Sequence, residues 1–279
     1  MPTLNAVKCI HAPLAQLVEQ LVYTKKVAGS SPAGCTENET ETKKHGIYVD
    51  IDMNDSSGIT CMGIIMDGNR RWAKAHGLSK LEGHRAGTEK LKDTVRFFRS
   101  RNIKHLAVYA FSTENWNRDP AEVSYLMDLF RESIKKEMSE LGKDGVRIRF
   151  AGQNGRFSTD LQQAMDDIEK ETAQHDAITL WICLSYGGRA EIVAAARSVV
   201  ASGEEITEET LSRNTWTAEM PDPDIVIRTG GEKRLSNFLP WQSIYSELFF
   251  SDTLWPDFTN EEFDAILAEF AARERRRGK

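Results

Sequence analysis

Asp67, Gly68 and Asn69, followed at once by Arg70, Arg71 and Trp72, stand at the exit of the apolar run "ITCMGIIM". Gly68 permits close approach of the backbone to a ligand, and a helix beginning near Asn69 offers unpaired N–H groups and the positive end of its dipole to an anion. Arg71 adds a planar fork suited to phosphate oxygens. Asp67 would repel a bare phosphate, so its place makes sense if Mg²⁺ bridges the two, since that ion binds through one or two carboxylates plus substrate phosphates. A plain Asp-Gly turn before a basic helix explains the same residues without a ligand. His84, after "KLEG", is either a phosphate donor or a cap or surface residue.

Three further clusters carry chemistry. "RTGGEKRLSN" sets Arg228, Arg234 and Ser236 around a Gly-Gly turn, which reads as a second diphosphate cradle or as a solvated loop. "FSTENWNR" places Ser112, Glu114, Asn115, Trp116 and Arg118 after an apolar run. Its other reading is a capped turn with a buried Trp. Glu247 in "YSELFF" heads an apolar strand, where an unpaired carboxylate is costly unless a metal or an arginine compensates it. Two anion cradles and one metal-binding carboxylate suggest two diphosphates meeting head to tail. No GxxxxGK[ST] and no GxGxxG follows a strand, so the usual nucleotide motifs are not behind these clusters, and "DDIEK" lacks the last aspartate of a DDxxD pair.

The elements that must position them alternate. Apolar runs "ITCMGIIM", "IKHLAVYAF", "VRIRFAG", "ITLWICLS", "DIVIRT" and "SELFFS" read as strands. Between and after them, "HRAGTEKLKDTVRFFRSR", "PAEVSYLMDLFRESIKKEMSEL", "TDLQQAMDDIEKETAQ", "RAEIVAAARSVVA" and "NEEFDAILAEFAARERRR" read as helices, the second opened by Pro120. Strands joined through helices imply crossover connections, hence an α/β fold with a largely parallel sheet covered on both faces. In such sheets ligands bind outside the carboxyl ends of strands, where "MDGNRRW", "STENWNR", "SYGGR" and "RTGGEKRLSN" all fall.

Composition narrows the rest. The chain has 279 residues, 28% charged, with a net charge of −6 that gives no support to nucleic-acid binding. Cys9, Cys35, Cys61 and Cys183 form no CxxC pair and fit a reducing compartment. No apolar run approaches the roughly 20 residues that span a bilayer. A cytoplasmic protein is the expectation. Residues 1–56 are polar, turn-rich and aperiodic after "APLAQLVEQLVY", and read as a disordered or mis-assigned N-terminal extension with Met53 as the alternative start. Residues 57–279 make one domain. The closing "RERRRGK" reads as a solvated helix end, or else as a weak peripheral membrane contact.

Taken together, "IIMDGNRRWAK", "GHRAG", "YAFSTENWNR", "SYGGRAEIV" and "DIVIRTGGEKRLSNFLPWQSIYSELFFSDTLWPDF" resemble the cis-prenyltransferases, most of all the bacterial undecaprenyl diphosphate synthases. The resemblance runs over about residues 60–277 with five motifs in order. It implies a six-stranded sheet with surrounding helices, a homodimer, Mg²⁺ dependence and a hydrophobic product tunnel. It implies condensation of isopentenyl diphosphate onto farnesyl diphosphate to give a long polyprenyl diphosphate. By position, Asp67 matches the aspartate for metal and catalysis, and Gly68, Asn69, Arg71 and His84 the allylic diphosphate site. Trp72 and Asn115 match residues beside the reacting carbons, with Trp116 packed near them. Arg228, Arg234 and Ser236 match the isopentenyl diphosphate site, and Glu247 the second metal carboxylate, which partly completes that site in the homodimer. Arg70 stands where the common bacterial pattern has Gly. Lys80 stands where many members carry an arginine on the diphosphate, keeping the charge but losing the fork. Asn69, Ser112 or a diphosphate oxygen is the proton acceptor.

Overall fold

The computed structural model describes residues 58–273. The expectations for residues 1–56, and for "RERRRGK" beyond Arg273, lie outside the described residues. Strands β1 (Cys61–Ile65), β2 (His105–Ser112), β3 (Val146–Ala151), β4 (Ile178–Tyr186), β5 (Ile225–Arg228) and β6 (Glu247–Phe250) form one sheet in the order β3-β4-β2-β1-β5-β6. Every pairing is parallel. β1 and β4 are buried along their whole length. That is why they read as unbroken apolar runs rather than as alternating ones.

The helices are α1 (Asn69–Ala75), α2 (Lys80–Ser100), α3 (Pro120–Ser133), α4 (Ser139–Lys143), α5 (Thr159–Glu171), α6 (Gly188–Ser202), α7 (Glu208–Arg213) and α8 (Asn260–Ala272). α2 begins a turn before the "HRAGTEK" start expected from periodicity. Ser79 caps it, accepting from the Glu82 N–H while Glu82 returns a bond to the Ser79 N–H. The Ser-x-x-Glu spacing in "SKLE" carries that signal. α2 buries Leu91, Val95 and Phe98 on one stripe. The Phe98 ring meets Phe263 of α8 edge-on at 4.8 Å. Phe98→Ala should cost about 3–5 kcal/mol, because a wholly buried ring leaves a cavity.

Two irregularities were not expected, and both border the site. The segment read as one helix over "PAEVSYLMDLFRESIKKEMSEL" is interrupted by a π-turn over Ile134–Met138 that joins α3 to α4. In β2 the register against β4 skips between Tyr109 and Phe111, which leaves Ala110 as a bulged residue.

The chain runs from β1 toward β2 on one side and later returns to β5 on the other. The carboxyl ends of β1 and β5 therefore flank the topological switch point, where open α/β sheets bind ligands.

Candidate active site

β1 delivers Asp67 to this crevice and β5 delivers Arg228. The register Ile65↔Arg228 sets the two side by side. Arg228 is almost wholly buried and donates from Nη2 to Asp67 Oδ2 at 2.9 Å. Arg71, one turn into α1, donates from Nη2 to Asp67 Oδ1 at 3.2 Å and from Nη1 to the Gly230 carbonyl at 2.7 Å. The Asp67 carbonyl accepts from Thr229 Oγ1 at 2.7 Å and from the Trp255 N–H at 3.0 Å. The loop is thus bound on both its backbone and its side chain. Gly68 turns it into α1 at φ 117°, where an added Cβ would lie 2.9 Å from Leu254 Cα. No other residue type fits there.

A cavity of about 670 Å³ opens at this point. Asp67, Asn69, His84, Ser112, Glu114, Asn115, Arg118, Arg228 and Ser236, nine of the residues singled out above, line its polar part. Leu126, Leu129, Phe130 and Ile134 on one side, with Ala110, Ile182 and Leu184 on the sheet side, make the rest apolar. Asn69 Oδ1, His84 Nε2 and Arg228 Nε are buried without a hydrogen-bond partner among the described residues. Buried polar groups are normally satisfied, so three orphans around one cavity call for a polar ligand or ordered water.

The remaining candidates stand around the cavity. Glu122, in the first turn of α3, accepts from Arg70 Nη1 at 3.1 Å and from Arg118 Nη1 at 3.2 Å, and Lys80 Nζ lies 3.7 Å away. Burial works against its charge, but Arg70, then Arg118 and Lys80, outweigh it and hold its carboxyl below the usual range. One carboxylate therefore gathers three of the cations expected to meet a diphosphate. His84 lies within α2, neither capping it nor on the open surface. Burial, with the Arg118 and Arg70 charges nearby, pushes it down to about 4 against the opposing effect of Glu122, so the ring is neutral at pH 7.

Asn115 Oδ1 accepts from the Ser112 N–H at 3.1 Å, which folds the short turn Thr113–Asn117. Trp116 is pinned beneath by its Nε1–H on Ser185 Oγ at 2.9 Å, edge-on to Phe111. Arg228 Nη1 donates to the Arg234 carbonyl and to Ser236 Oγ, while the Arg234 side chain turns outward to Glu232. Trp72 does not reach the cavity: its Nε1–H bonds Asp257 Oδ1 at 2.6 Å and its ring lies against His76.

Within one chain Asp67 and Glu247 stand apart, so a metal site that used both would draw Glu247 from a second subunit. Glu247 pairs with Ile225 at the amino end of the β5–β6 ladder, whereas Asp67 follows the carboxyl end of β1. Arg273 bonds Glu247 directly, one of the two compensations expected for this carboxylate. Among the described residues no three His, Cys, Asp or Glu side chains cluster as metal ligands. The donor set therefore does not make an all-protein cage. Asp67 could serve as a carboxylate ligand to a Mg²⁺ that arrives with a diphosphate.

Sequence reasoning missed Glu122 and Asn237, although both stand in quoted motifs. An acidic residue in a helix's first turn reads as a dipole effect, and an Asn closing a loop reads as turn chemistry.

Comparison with known proteins places the chain in a family. Residues 65–278 match the Prenyltransf family model, described as "Putative undecaprenyl diphosphate synthase". An isoprenyl transferase of Fusobacterium nucleatum subsp. nucleatum is 46% identical over 218 residues, which is 78% of this chain and 94% of that one. The isoprenyl transferase of Thermotoga maritima is 45% identical over 222 residues, or 78% and 95% of the two chains. Among solved structures, lavandulyl diphosphate synthase from Lavandula x intermedia in complex with dimethylallyl diphosphate is similar with a TM-score of 0.76 at 32% identity, covering 79% of this chain and 98% of that one. A "probable undecaprenyl diphosphate synthase" from Campylobacter jejuni gives 0.69 at 33% identity, covering 79% and 99%.

Fold, site and likenesses together define an enzyme that transfers prenyl groups. The chain belongs to the cis-prenyltransferase family, that of the undecaprenyl diphosphate synthases and isoprenyl transferases.

Proposed function

We propose that this enzyme condenses isopentenyl diphosphate units onto farnesyl diphosphate, with Mg²⁺, to make a long-chain, undecaprenyl-like polyprenyl diphosphate that serves as a lipid carrier. One observation carries the reading. A single cavity joins a mouth of Asp67, Asn69, His84, Arg118 and Arg228 to an apolar interior built from α3, the π-turn and the sheet. A diphosphate head and a growing hydrocarbon tail ask for those two environments in that order. The volume suits a ligand far larger than a five-carbon unit, since pockets of roughly 300–1,000 Å³ enclose drug-sized molecules.

The residues divide the work. Asn69, the α1 amide groups, Arg71 and His84 receive the allylic diphosphate, and Arg70, Lys80 and Arg118 add charge held ready on Glu122. As the allylic C–O bond breaks, these donors stabilise the negative charge gathering on the leaving group. Mg²⁺, when bound, supplies further neutralisation of diphosphate charge beside Asp67. Arg228, Arg234 and Ser236 hold isopentenyl diphosphate with its double bond toward the allylic carbon, and this positioning supplies much of the rate. Asn115, Ser112 and Glu114 border the reacting carbons, where a proton is lost after the new bond forms.

The active form is read as a homodimer. Leu248 and Phe250 on the edge strand β6, and Ile244 and Tyr245 in the turn before it, stand exposed, the kind of apolar edge that proteins cover. Isotope-labelled isopentenyl diphosphate, farnesyl diphosphate and Mg²⁺ incubated with the purified protein should yield long polyprenyl diphosphates with cis bonds. Products limited to one or two additions would instead assign a short-chain synthase, and no incorporation at all would overturn the reading.

A further inference from the structure

"SYGGR", at the carboxyl end of β4, lines up with the other strand-end clusters but holds no side chain in the cavity wall. Its two glycines have a steric explanation. A Cβ on Gly187 would lie 2.5 Å from Thr113 Oγ1 and 2.8 Å from Asn237 Nδ2, and one on Gly188 would lie 2.0 Å from Pro240 Cδ. The glycines leave room for two other loops to sit down on the start of α6. The contact is polar and specific. The Arg189 N–H donates to Asn237 Oδ1 at 2.9 Å, and the Gly188 N–H to the Asn237 carbonyl at 2.9 Å. Gly187, as N-cap, has no side chain to do this itself. Asn237 therefore caps α6 from a distant loop, taking up two orphan N–H groups of its first turn.

Its remaining donor goes elsewhere. Asn237 Nδ2 donates to Glu114 Oε1 at 3.1 Å. Burial works against the Glu114 charge, but bonds from its own backbone, from Asn237, Ser112 and Thr113 outweigh it and hold the carboxyl below the usual range. Presenting this amide has a conformational cost: Ser236, Asn237 and Leu239 all have positive φ, at 49°, 70° and 48°. Asn is the ordinary residue that tolerates such a conformation, and Ser and Leu are held there by the structure around them.

We propose that Asn237 is a positioning residue for the reaction, locking the Ser236 loop to the Glu114 loop with the double glycine of "SYGGR" as its seat. Asn237 itself lines the cavity, with its side-chain bonds going to Arg189 and Glu114. It fixes Ser236, which Arg228 holds from the other side, relative to Glu114 at the cavity mouth. This rests on the reading that Arg228, Arg234 and Ser236 receive isopentenyl diphosphate.

Asn237→Asp separates positioning from capping. Aspartate keeps the acceptor for the Arg189 N–H and suits a helix N-terminus, but it replaces the donor facing Glu114 with a second carboxylate. Steady-state kinetics should show the KM for isopentenyl diphosphate raised about fivefold or more, with Tm preserved. In a Glu114→Gln background, where the glutamine amide can donate to the introduced carboxylate, the same substitution should add no further increase. A wild-type KM for Asn237→Asp, or an equal penalty in both backgrounds, would overturn the proposal. Asn237→Gly suits the φ of 70° and removes both side-chain bonds; it should raise the same KM if Asn237→Asp does not fold. Hydrogen exchange gives a readout independent of turnover. Asn237→Asp should speed exchange over residues 113–117 and leave 187–192 unchanged, whereas unchanged exchange over 113–117 would count against the proposal. If the wild type fails to use isopentenyl diphosphate, the functional reading falls, and exchange alone decides the role of Asn237.

Discussion

Asp67 is held between Arg228 and Arg71, with one carboxylate oxygen on each guanidinium at 2.9 and 3.2 Å. The pairing neutralises a part-exposed acid and gives a nearly buried arginine its counter-charge. Asp67→Ala should then have two separable effects. Turnover should fall by roughly a hundredfold or more, and stability by about 1–3 kcal/mol, because Arg228 loses a charged partner and keeps only the Arg234 carbonyl and Ser236. Asp67→Asn keeps an acceptor for Arg228 and should melt closer to wild type while remaining as inactive. Chelation of Mg²⁺ should abolish turnover of the wild type without the stability loss. Near-wild-type turnover in Asp67→Asn would remove the metal role.

His84 makes stability depend on pH in a definite direction. Its folded value of about 4 lies below the ordinary 6.5, because burial and neighbouring arginines disfavour the charged ring. Between those values the unfolded chain binds the extra proton and the folded one does not. The contribution is therefore fully present above about pH 6.5 and is lost as pH falls toward 4, by at most about 3 kcal/mol. Denaturant titrations of His84→Gln should show a flatter dependence than wild type across this window. Parallel curves would mean that the ring is not buried as described.

How much of this was legible depended on whether a residue's role is local. The Asp67 and Arg228 loops could be read because both follow apolar strands, and in a parallel sheet strand exits share one end. Glu247 was read by its type, but its register at the amino end of β6 is a property of strand pairing that no local pattern encodes. Glu122 stayed hidden because its three partners come from α1, α2 and the Thr113–Asn117 turn, brought together only by packing. The π-turn at Ile134–Met138 has no Pro or Gly to announce it, and the Ala110 bulge lies within an unbroken apolar run.

Lys80 offers a test of charge against geometry. It is exposed and reaches Glu122 only at 3.7 Å, whereas a guanidinium could bridge both Glu122 and a diphosphate. Lys80→Arg should lower the KM for the allylic diphosphate by about two- to fivefold, since exposed ion pairs contribute only about 0–1 kcal/mol. Tm should not change. An increase in KM would show that the side chain meets steric limits at the cavity mouth.

Ala110 tests how far a chain can grow in the proposed reaction. As the bulged residue of β2 it lines the cavity opposite Leu126, Phe130 and Ile134, so one side of its side chain borders open space while the rest packs against the core. Ala110→Leu would place a branched side chain in that space. In a filled core such overpacking costs about 1–3 kcal/mol, but a cavity absorbs the added atoms with little strain. The variant should therefore keep its melting temperature within a few degrees and keep adding the first isoprene units at near-normal rate, because the Asp67 and Arg228 loops lie at the other, polar part of the cavity. Growth should stop early, with the product distribution shifted to shorter polyprenyl diphosphates on chromatography. Ala110→Gly should leave product length unchanged or longer. Unaltered products from a folded Ala110→Leu enzyme would mean that the hydrocarbon tail does not pass this residue, and that the apolar part of the cavity is not the path of the growing chain.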